Sequence, residues 1–469
     1  MLPRVVTSFL LTLFVACGVN PLFAKDSKEK TSRPNIVYIL LDDAGYGDLS
    51  CYGQSHFQTP NIDRLSREGM KFTQHYAGCT VCAPTRCVLM TGQHTGHCYI
   101  RGNKEAKPEG QEPIPSETVT LPELLKTAGY VTGGFGKWGL GSPGSEGDPV
   151  NQGFDEFYGY NCQREAHNYY PKHLWHNTEK VMLDGKTYSH DLIMNQALDF
   201  VREHQDQSFF CYLPVTIPHA AMHVPGSYSD PFRKKFSQFN GKIGRYSGPE
   251  VDNPVAAFAG MMTKLDEDVG RLLDLLVELD IDENTIVMLT SDNGPHLEGG
   301  HDPKFFDSNG PLKGFKRDLY EGGIRAPFLV RWPGHVPENT TSDLISAHWD
   351  ILPTCCELAG VDVPKDTDGV SLVPTLLGHA NEQTPHEYLY WEFHERGGKR
   401  AVRFGKWKAV QLNLNKKKSS PIELYDLSKD IDESDDIATK HPDIVSQAQT
   451  MFEQAHTPSS IWLFPFDKE

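Results

Sequence analysis

Short apolar segments that end in polar residues constrain the fold of this chain more than any other feature. They are rich in β-branched and aromatic side chains and lie at residues 34–41, 130–135, 209–215 and 285–290. Continuous runs of this kind are typical of central strands in a sheet that is covered on both faces. Amphipathic patterns at 189–201 and 256–279 predict helices between them. The sequence therefore predicts an α/β fold with a large mixed, mostly parallel sheet flanked by helices.

The pattern changes near residue 375, where short strand-like segments at turn spacing begin. Together with a helical pattern near 441–455, they predict a smaller C-terminal antiparallel sheet plus a packed helix. At 469 residues the chain also exceeds one ordinary domain. We therefore predict a large N-terminal domain over residues 25–374 and an α+β subdomain over residues 375–469.

Residues 1–24 have the features of a secretory signal peptide. Arg4 precedes a largely apolar segment, and the stretch ends in the small residue Ala24. The apolar run is too short to span a bilayer, so we predict a chain without a membrane span that is exported to the periplasm or the medium. Residues 14–17 come close to a lipoprotein cleavage box, which leaves a lipid anchor at Cys17 as an alternative.

Charge and cysteine content narrow the possible partners. The formal net charge of −17 argues against binding to nucleic acid or to an anionic membrane surface. The ten cysteines are scattered, and Cys355 and Cys356 are adjacent. Although export permits disulfides, we predict that most of these cysteines are buried thiols.

Two adjacent carboxylates, Asp42 and Asp43, directly follow the first predicted strand. Ligand sites in open α/β sheets lie at the carboxyl ends of the strands. Like charges side by side need a counter-charge, and a hard cation such as Ca²⁺ supplies one through oxygen ligands. The alternative is a solvated pair of aspartates in a turn.

The segment from Cys82 to Gly92 carries the most specific signal in the chain. Cys82 is followed by Pro84, Thr85, Arg86 and an apolar run that ends in Thr-Gly. With Cys79, Cys82 has the spacing of a zinc or iron–sulfur knuckle, but a second knuckle is missing. A buried or disulfide-bonded cysteine is the other alternative. The segment resembles the Cys-x-Pro-Ser-Arg-x-x-x-x-Thr-Gly signature of type I sulfatases, with threonine where serine is usual.

This resemblance implies the alkaline-phosphatase-like fold and a specific site. Cys82 would be oxidised to formylglycine by a formylglycine-generating enzyme, and the hydrated aldehyde would attack the sulfur atom of a sulfate ester. Ca²⁺, or alternatively Mg²⁺, would be held by the modified Cys82 and by Asp42, Asp43, Asp292 and Asn293. Sulfate would be bound by Lys137, His219 and Lys316, with Arg86 holding the formylglycine and metal region. His219 would protonate the departing alcohol.

One position departs from the family pattern. In the segment Gly-Lys-Trp-Gly-Leu-Gly, Gly139 stands where many members have a histidine that helps to deprotonate the diol. The nearest replacements are His94, His97 and His167, each of which is alternatively a surface or substrate-contact residue. Residues 142–188, which include Arg164, look like a long ordered loop that suits sugar binding, although a plain surface insertion remains the alternative.

The sequence thus predicts a sulfatase that hydrolyses sulfate monoesters of sulfated carbohydrates. The alternatives are a phosphodiesterase or phosphonate-monoester hydrolase of the same superfamily, and a non-catalytic protein that binds sulfated glycans.

Overall fold

The computed structural model describes Pro3, residues 33–416 and residues 418–468.

The large sheet is organised around strand β1 (Asn35–Leu41), all seven residues of which are buried. Even-numbered side chains from Ile36 to Leu40 face one apolar core, and odd-numbered side chains from Val37 to Leu41 face another. From Ile36 onward the side chains of β1 are therefore continuously hydrophobic, because helices cover both faces of the strand.

Within the described residues, the remaining strands lie in chain order as follows. They are β2 (Met70–Tyr76), β3 (Val131–Lys137), β4 (Glu156–Tyr160), β5 (His173–His176), β6 (Glu179–Met182), β7 (Phe209–Pro214), β8 (Ile243–Gly244), β9 (Val251–Asp252), β10 (Thr285–Ser291), β11 (Arg325–Arg331), β12 (Thr340–Ser342), β13 (Ser346–Ala347), β14 (Leu389–Phe393), β15 (Lys399–Phe404), β16 (Trp407–Leu412) and β17 (Ile422–Asp426).

The helices of the same part of the chain are α1 (Pro60–Arg67), α2 (Cys82–Thr91), α3 (Leu121–Thr127), α4 (Ser189–Glu203), α5 (Gly226–Lys235), α6 (Pro254–Glu278), α7 (Pro303–Phe306), α8 (Glu321–Ile324), α9 (Ile351–Ala359), α10 (Val373–Leu376) and α11 (Pro442–Gln454). Helices α2, α3 and α9 contribute to the core on one face of the large sheet, and α4 and α6 to the core on the other. Among the described helices, none is both long enough and apolar enough to cross a bilayer.

The large sheet has the strand order β12-β2-β11-β10-β1-β7-β3-β4-β5-β6, with β13 also paired to β2. The five central strands from β10 to β4 are parallel, whereas β11, β5 and β6 each run antiparallel to a neighbour. The predicted α/β class, with a mixed and mostly parallel sheet, is confirmed. Because the central strands are parallel, their carboxyl ends lie along one edge, where the predicted site residues follow them.

Strands β14 to β17 form the predicted small antiparallel sheet, and α11 packs on it through Phe452. Its other face carries Trp391 and Phe393 into a core shared with the large sheet. Residues 33–469 accordingly form one compact unit. The boundary at residue 374 stays a prediction, and the predicted signal peptide and Cys17 lie outside the described residues.

Two segments differ from the sequence-based expectation. Residues 142–188 are not one long loop, because they contain β4 and the hairpin of β5 and β6, which extend the large sheet. Strand β2 was not predicted, because its sequence Met-Lys-Phe-Thr-Gln-His-Tyr mixes polar and apolar residues. The cysteine prediction is confirmed, since all nine cysteines among the described residues are free and eight of them are buried.

Candidate active site

The carboxyl ends of β1 and β10 bring two acidic segments together. Leu41 and Ser291 are register partners, so Asp42 and Asp292 emerge side by side. The Asp292 amide donates a hydrogen bond to the Leu41 carbonyl (2.9 Å), and the Asp43 amide donates to Asp292 Oδ1 (3.0 Å). All three carboxylates are buried, so they need positive partners.

Two lysines supply those partners, one to each member of the aspartate pair. Lys137, the last residue of β3, donates from Nζ to Asp42 Oδ2 at 2.7 Å, and Lys316 donates to Asp43 Oδ2 at 2.7 Å. Burial alone would lower the pKa of each lysine, but the neighbouring carboxylates raise both above the ordinary value. Both ammonium groups are therefore charged at neutral pH.

Arg86 links this cluster to helix α2. Its guanidinium lies 3.2 Å from Asp292 Oδ2 and 3.9 Å from Asp42 Oδ2, and it also donates to the Lys137 carbonyl. The side chain is fully buried. Because a guanidinium stays protonated even when buried, Arg86 holds the ends of β1, β3 and β10 against the helix.

Cys82 is the first residue of α2, and 3% of its surface is exposed. Its Sγ lies 3.5 Å from Asp42 Oδ1 and 3.9 Å from Lys316 Nζ. Burial raises the pKa of the thiol to about 12, because the attraction of Lys137 and Lys316 does not offset the loss of water. The unmodified thiol is therefore protonated at neutral pH and is a poor nucleophile.

His219 lies between the two lysine–aspartate pairs and the solvent. Its Nδ1 donates to the Ala220 carbonyl (2.9 Å), which leaves Nε2 to accept from Lys316 (3.2 Å). Burial and then Lys316 keep its pKa well below the ordinary value. His167 stacks on the His219 ring with a centroid separation of 4.4 Å, and burial followed by Lys137 lowers its pKa to about 3. Both rings are therefore neutral.

The donor set fits a hard cation. Asp42, Asp43, Cys82 and His219 each place one ligand atom within 4.8 Å of the others. Asn293 Oδ1 is buried and has no hydrogen-bond partner among the described residues. Burial, and then the charge of Asp42, raises the pKa of Asp292 to about 7. Crowded carboxylates beside an unpaired amide oxygen form an oxygen-rich site that a divalent cation would stabilise.

A cavity of about 280 Å³ opens from this cluster to the solvent. Its wall is formed by Cys82, Asn103, Glu105, Gln111, Gln163, Arg164, His167, His219, Tyr246, Lys316 and Arg317. Arg164 lies on the rim and pairs with Glu105, while Arg317 pairs with Glu298. Reasoning from the sequence did not find Gln163, Tyr246 or Arg317, because they come from loops that carry no motif.

Most of the residues predicted for the site converge here, but His97 does not. It hydrogen-bonds Asp368 (2.9 Å) and lines a separate cleft, and His94 packs against it. Both histidines follow the C-terminus of α2, whereas Cys82 begins that helix, and ten helical residues span about 15 Å. Contrary to the expectation that His97 contacts substrate, or that His94 or His97 replaces the missing histidine, neither side chain lines the cavity that contains Cys82.

The structure also shows that Lys316 and Lys313, which are neighbours in the sequence, have different surroundings. Lys313 lies 4.0 Å from the centroid of the Tyr320 ring and donates to the Glu433 carbonyl (2.8 Å). It therefore fastens the C-terminal segment and does not line the cavity, whereas Lys316 does.

Comparison with known proteins decides the family. The family model described as Sulfatase matches residues 34–361, and one described as N-sulphoglucosamine sulphohydrolase, C-terminal, matches residues 313–457. The chain belongs to the sulfatase family. The resemblance stated from the Cys82 segment is confirmed, and this sulfatase is a sulfuric ester hydrolase of the alkaline phosphatase superfamily.

Individual relatives agree with this assignment. The sulfatase is 34% identical to N-acetylgalactosamine-6-sulfatase of Rattus norvegicus over 80% of its own length and 71% of the relative. It is 28% identical to N-acetylgalactosamine-6-O-sulfatase of Bacteroides thetaiotaomicron over 94% and 96% of the two chains. The crystal structure of Ps i-CgsB in complex with k-i-k-neocarrahexaose has a TM-score of 0.77 and 27% identity, covering 90% of this sulfatase and 93% of that chain.

Proposed function

We propose that this sulfatase hydrolyses sulfate esters of carbohydrates with a formylglycine derived from Cys82 and a Ca²⁺ ion. The observation that carries the proposal is the position of Cys82. It begins a helix at the base of the cavity, with its Sγ within 4 Å of both Asp42 and Lys316. The N-terminus of a helix favours a negatively charged group at this point.

The modified residue, as an aldehyde hydrate, would supply the nucleophile, and Ca²⁺ would polarise a sulfate oxygen. Asp42, Asp43, Asp292 and Asn293 would hold the cation, and Asn293 Oδ1 has the free lone pairs to do so. With the cation bound, the two lysines would share their charge between the carboxylates and the sulfate. Lys137 and Lys316 would then stabilise the charge that develops on the sulfate oxygens in the transition state.

His219 would donate a proton to the leaving alcohol. In the structure its Nε2 accepts a hydrogen bond from the Lys316 ammonium, and Nδ1 donates to the Ala220 carbonyl. The Lys316 ammonium therefore lies beside the imidazole at the edge of the cavity and would be the source of the proton that Nε2 must gain before it can pass one to the leaving oxygen. We propose that this pair acts together as the general acid.

The substrate class rests on two lines of support. The relatives have names or titles that refer to N-acetylgalactosamine 6-sulfate and to a carrageenan oligosaccharide. The cavity rim carries Arg164, Tyr246 and Arg317, which offer hydrogen-bond donors and an aromatic face to a sugar ring. We propose a sulfated galactosamine or galactose unit of a polysaccharide as the substrate.

The first experiment tests the modification and the reaction together. The protein is produced in its own host, or with a formylglycine-generating enzyme, and the tryptic peptide with Cys82 is weighed. We expect the mass of the aldehyde and turnover of a chromogenic aryl sulfate. An unmodified thiol in active protein would overturn the formylglycine proposal, and faster cleavage of a phosphodiester than of the sulfate ester would favour the alternative hydrolase.

Metal removal tests the cation. Dialysis against a chelator should abolish turnover and lower the melting temperature, because a ligand that binds only the folded state stabilises it. Ca²⁺ should restore both properties, and Mg²⁺ should do so less well. Asn293→Ala should raise the Ca²⁺ concentration needed for recovery. Unchanged activity after complete removal of metal would contradict this part of the proposal.

A panel of defined sulfated monosaccharides and oligosaccharides tests the substrate class. Release of sulfate from galactose or N-acetylgalactosamine 6-sulfate, but not from glucosamine sulfates, is the expected result. No release from any sulfated sugar by protein that cleaves the aryl sulfate would overturn it.

We also propose that residues 1–24 direct export and that a formylglycine-generating enzyme acts on the chain before it folds. The support is the buried position of Cys82, because an enzyme could not reach this side chain in the folded protein. The intact mass of the mature protein would locate the cleavage site and show whether Cys17 carries lipid.

A further inference from the structure

The glycine that stands in place of the family histidine leaves space for a side chain from the loop after β4. Gly139 has a positive φ of 85°, and its amide donates to the Asn161 carbonyl (3.1 Å), which ties the segment after β3 to the segment after β4. The side-chain amide of Gln163 lies directly above this glycine. A Cβ atom on residue 139 would be 2.3 Å from Gln163 Nε2 and 3.0 Å from its Cδ. A side chain at position 139 and Gln163 in its present place therefore exclude each other.

Gln163 is also a polar group without its full complement of partners. The residue is 6% exposed, and its Nε2 has no hydrogen-bond partner within the described part of the chain. It lines the same cavity as Cys82, His219 and Lys316. Buried polar groups in native proteins are nearly always paired, so an unpaired amide in the wall of a reaction cavity indicates a bound group that completes it.

We propose that the side-chain amide of Gln163 hydrogen-bonds the oxygen atoms of the reacting centre, namely the hydrate at position 82 and the sulfate bound to it. This inference rests on the proposed function. A hydrated aldehyde has hydroxyl groups that both donate and accept, and sulfate oxygens accept. The amide of Gln163 can pair with a hydroxyl group or with a sulfate oxygen, because a 180° rotation of its terminal torsion exchanges the positions of its NH₂ group and its carbonyl oxygen. Gln163 thus reaches the reacting atoms from the β4 side in place of a side chain on residue 139.

The chemistry of an amide limits this role. Gln163 can orient a hydroxyl group and stabilise charge on an oxygen, but it has no basic atom that takes up a proton at neutral pH. It is therefore a hydrogen-bonding residue of the site and not the base. Its contribution should be largest in the transition state, where negative charge on the oxygens is greatest.

The test compares Gln163→Met with Gln163→His in protein that carries the aldehyde. Methionine has nearly the length of glutamine and fills the same space, but it offers no strong hydrogen bond. We expect kcat to fall by about 10²-fold with less than about a threefold change in KM, as for loss of one donor to a developing oxyanion. Histidine places Nε2 near the position of the glutamine amide, so Gln163→His should retain at least about tenfold more activity than the methionine variant.

A matched control is Gln196→Met, on helix α4. Gln196 is half-buried and donates to Glu156 of β4, outside the cavity, and its substitution should change kcat by less than about twofold. Aldehyde content and melting temperature are measured for every variant. A kcat for Gln163→Met within threefold of the native value overturns the inference and leaves the proposed function intact. A loss of kcat that parallels a loss of aldehyde content, or a loss that is equally large in Gln163→His, also overturns the inference. A native protein that carries the aldehyde and cleaves no sulfate ester overturns both.

Discussion

Two clusters of buried charged and polar groups in this protein differ in how their members are paired. The first is the site cluster of Asp42, Asp43, Asp292, Lys137, Lys316 and Arg86 at the carboxyl ends of the central strands. The second surrounds Glu392 of β14. Its Oε1 accepts from Arg101 (2.9 Å) and His394 (2.8 Å), and its Oε2 accepts from Tyr390 (2.9 Å) and His456 (2.7 Å).

The difference lies in whether the protein alone satisfies the buried groups. Each oxygen of Glu392 has two donors from this chain, so this carboxylate is fully paired and fastens residue 456 and the segment after it to the small sheet, although Nδ1 of His394 has no partner among the described residues. Next to the site cluster, Asn293 Oδ1 and Gln163 Nε2 are unpaired among the described residues, and the carboxylates of the cluster itself are crowded. A fully paired carboxylate of this kind stabilises the fold, whereas unpaired polar atoms beside a cavity support the proposal that a cation and an anion bind there.

The largest expected effect is on turnover when the nucleophile is removed. Cys82→Ala should lower kcat by at least about 10³-fold, because the hydrolysis then lacks its covalent step. The matched control is Cys79→Ala, since Cys79 is also buried but its Sγ faces the Glu392 carbonyl (3.7 Å). The control should lose stability and keep its kcat. Equal losses of turnover in the two variants would mean that Cys82 has only a structural role.

Lys313 and Lys316, which are close together in the sequence, allow a sharper comparison. Lys316→Met should lower kcat by about 10²- to 10³-fold, because a positive group aimed at the reacting sulfate is lost. Lys313→Met should leave kcat within about threefold and should instead lower stability. Steady-state kinetics with an aryl sulfate measure both, and the reverse pattern would show that the assignment of the sulfate-binding lysine is wrong.

Substitutions in the cluster around Glu392 should change the stability of the protein and not its turnover. Glu392→Gln leaves Arg101 and the two histidines without their carboxylate, and breaking a buried ion pair in this way costs about 3–5 kcal/mol in the free energy of unfolding. Activity of the remaining folded protein should be unchanged. The exposed Glu387→Gln, just before β14, should cost less than about 0.5 kcal/mol. Equal denaturant midpoints for the two variants would contradict the stabilising role of this cluster.

The smallest effect is a pH dependence of that stability. Burial alone would lower the pKa of His456, but its hydrogen bonds to Glu392 and Asp467 raise the pKa above the ordinary value. A raised pKa in the folded state stabilises the protein fully below the ordinary pKa of about 6.5, and the benefit is lost as the pH rises through the folded-state pKa. The stability gap between the native protein and His456→Gln should therefore be larger at about pH 6 than at about pH 9.

Urea unfolding at the two pH values measures this gap. The exposed His379→Gln provides the comparison, because it lies outside the cluster. A gap for His456→Gln that grows with pH would show that the imidazole is not held in its charged form by the two carboxylates.

Particular elements show how far the sequence could be interpreted. The central strands and helix α6 followed from continuous apolar runs and a long amphipathic pattern, since burial on both faces leaves a strong signal. Strand β2 could not be predicted in this way, because its polar residues contact segments that are distant in the sequence, and no local pattern indicates those contacts. The hairpin of β5 and β6 was missed for the same reason, as its aromatic and charged residues indicated a loop.

The residues of the candidate site also differ in whether the sequence could identify them. Asp42, Asp43, Cys82 and Lys137 could be found because each belongs to a segment that resembles a motif of the family and lies at the end of a strand or at the start of a helix. Gln163 could not, because one glutamine in a loop has no signal of its own. His97 was misassigned because closeness in sequence to Cys82 says nothing about the end of the helix on which a residue lies.

The sequence by itself determined the fold class and, through its resemblance to the sulfatase family, the cysteine and the residue types that we propose for the cation and sulfate sites, because motifs and strand periodicity are local properties. Only the tertiary structure decided which oxygens are paired and which are free, which of two lysines reaches the cavity, and which side chain fills the space above Gly139. Those outcomes depend on distances between segments far apart in the chain, and such distances exist only once the sheet has brought the ends of its strands together.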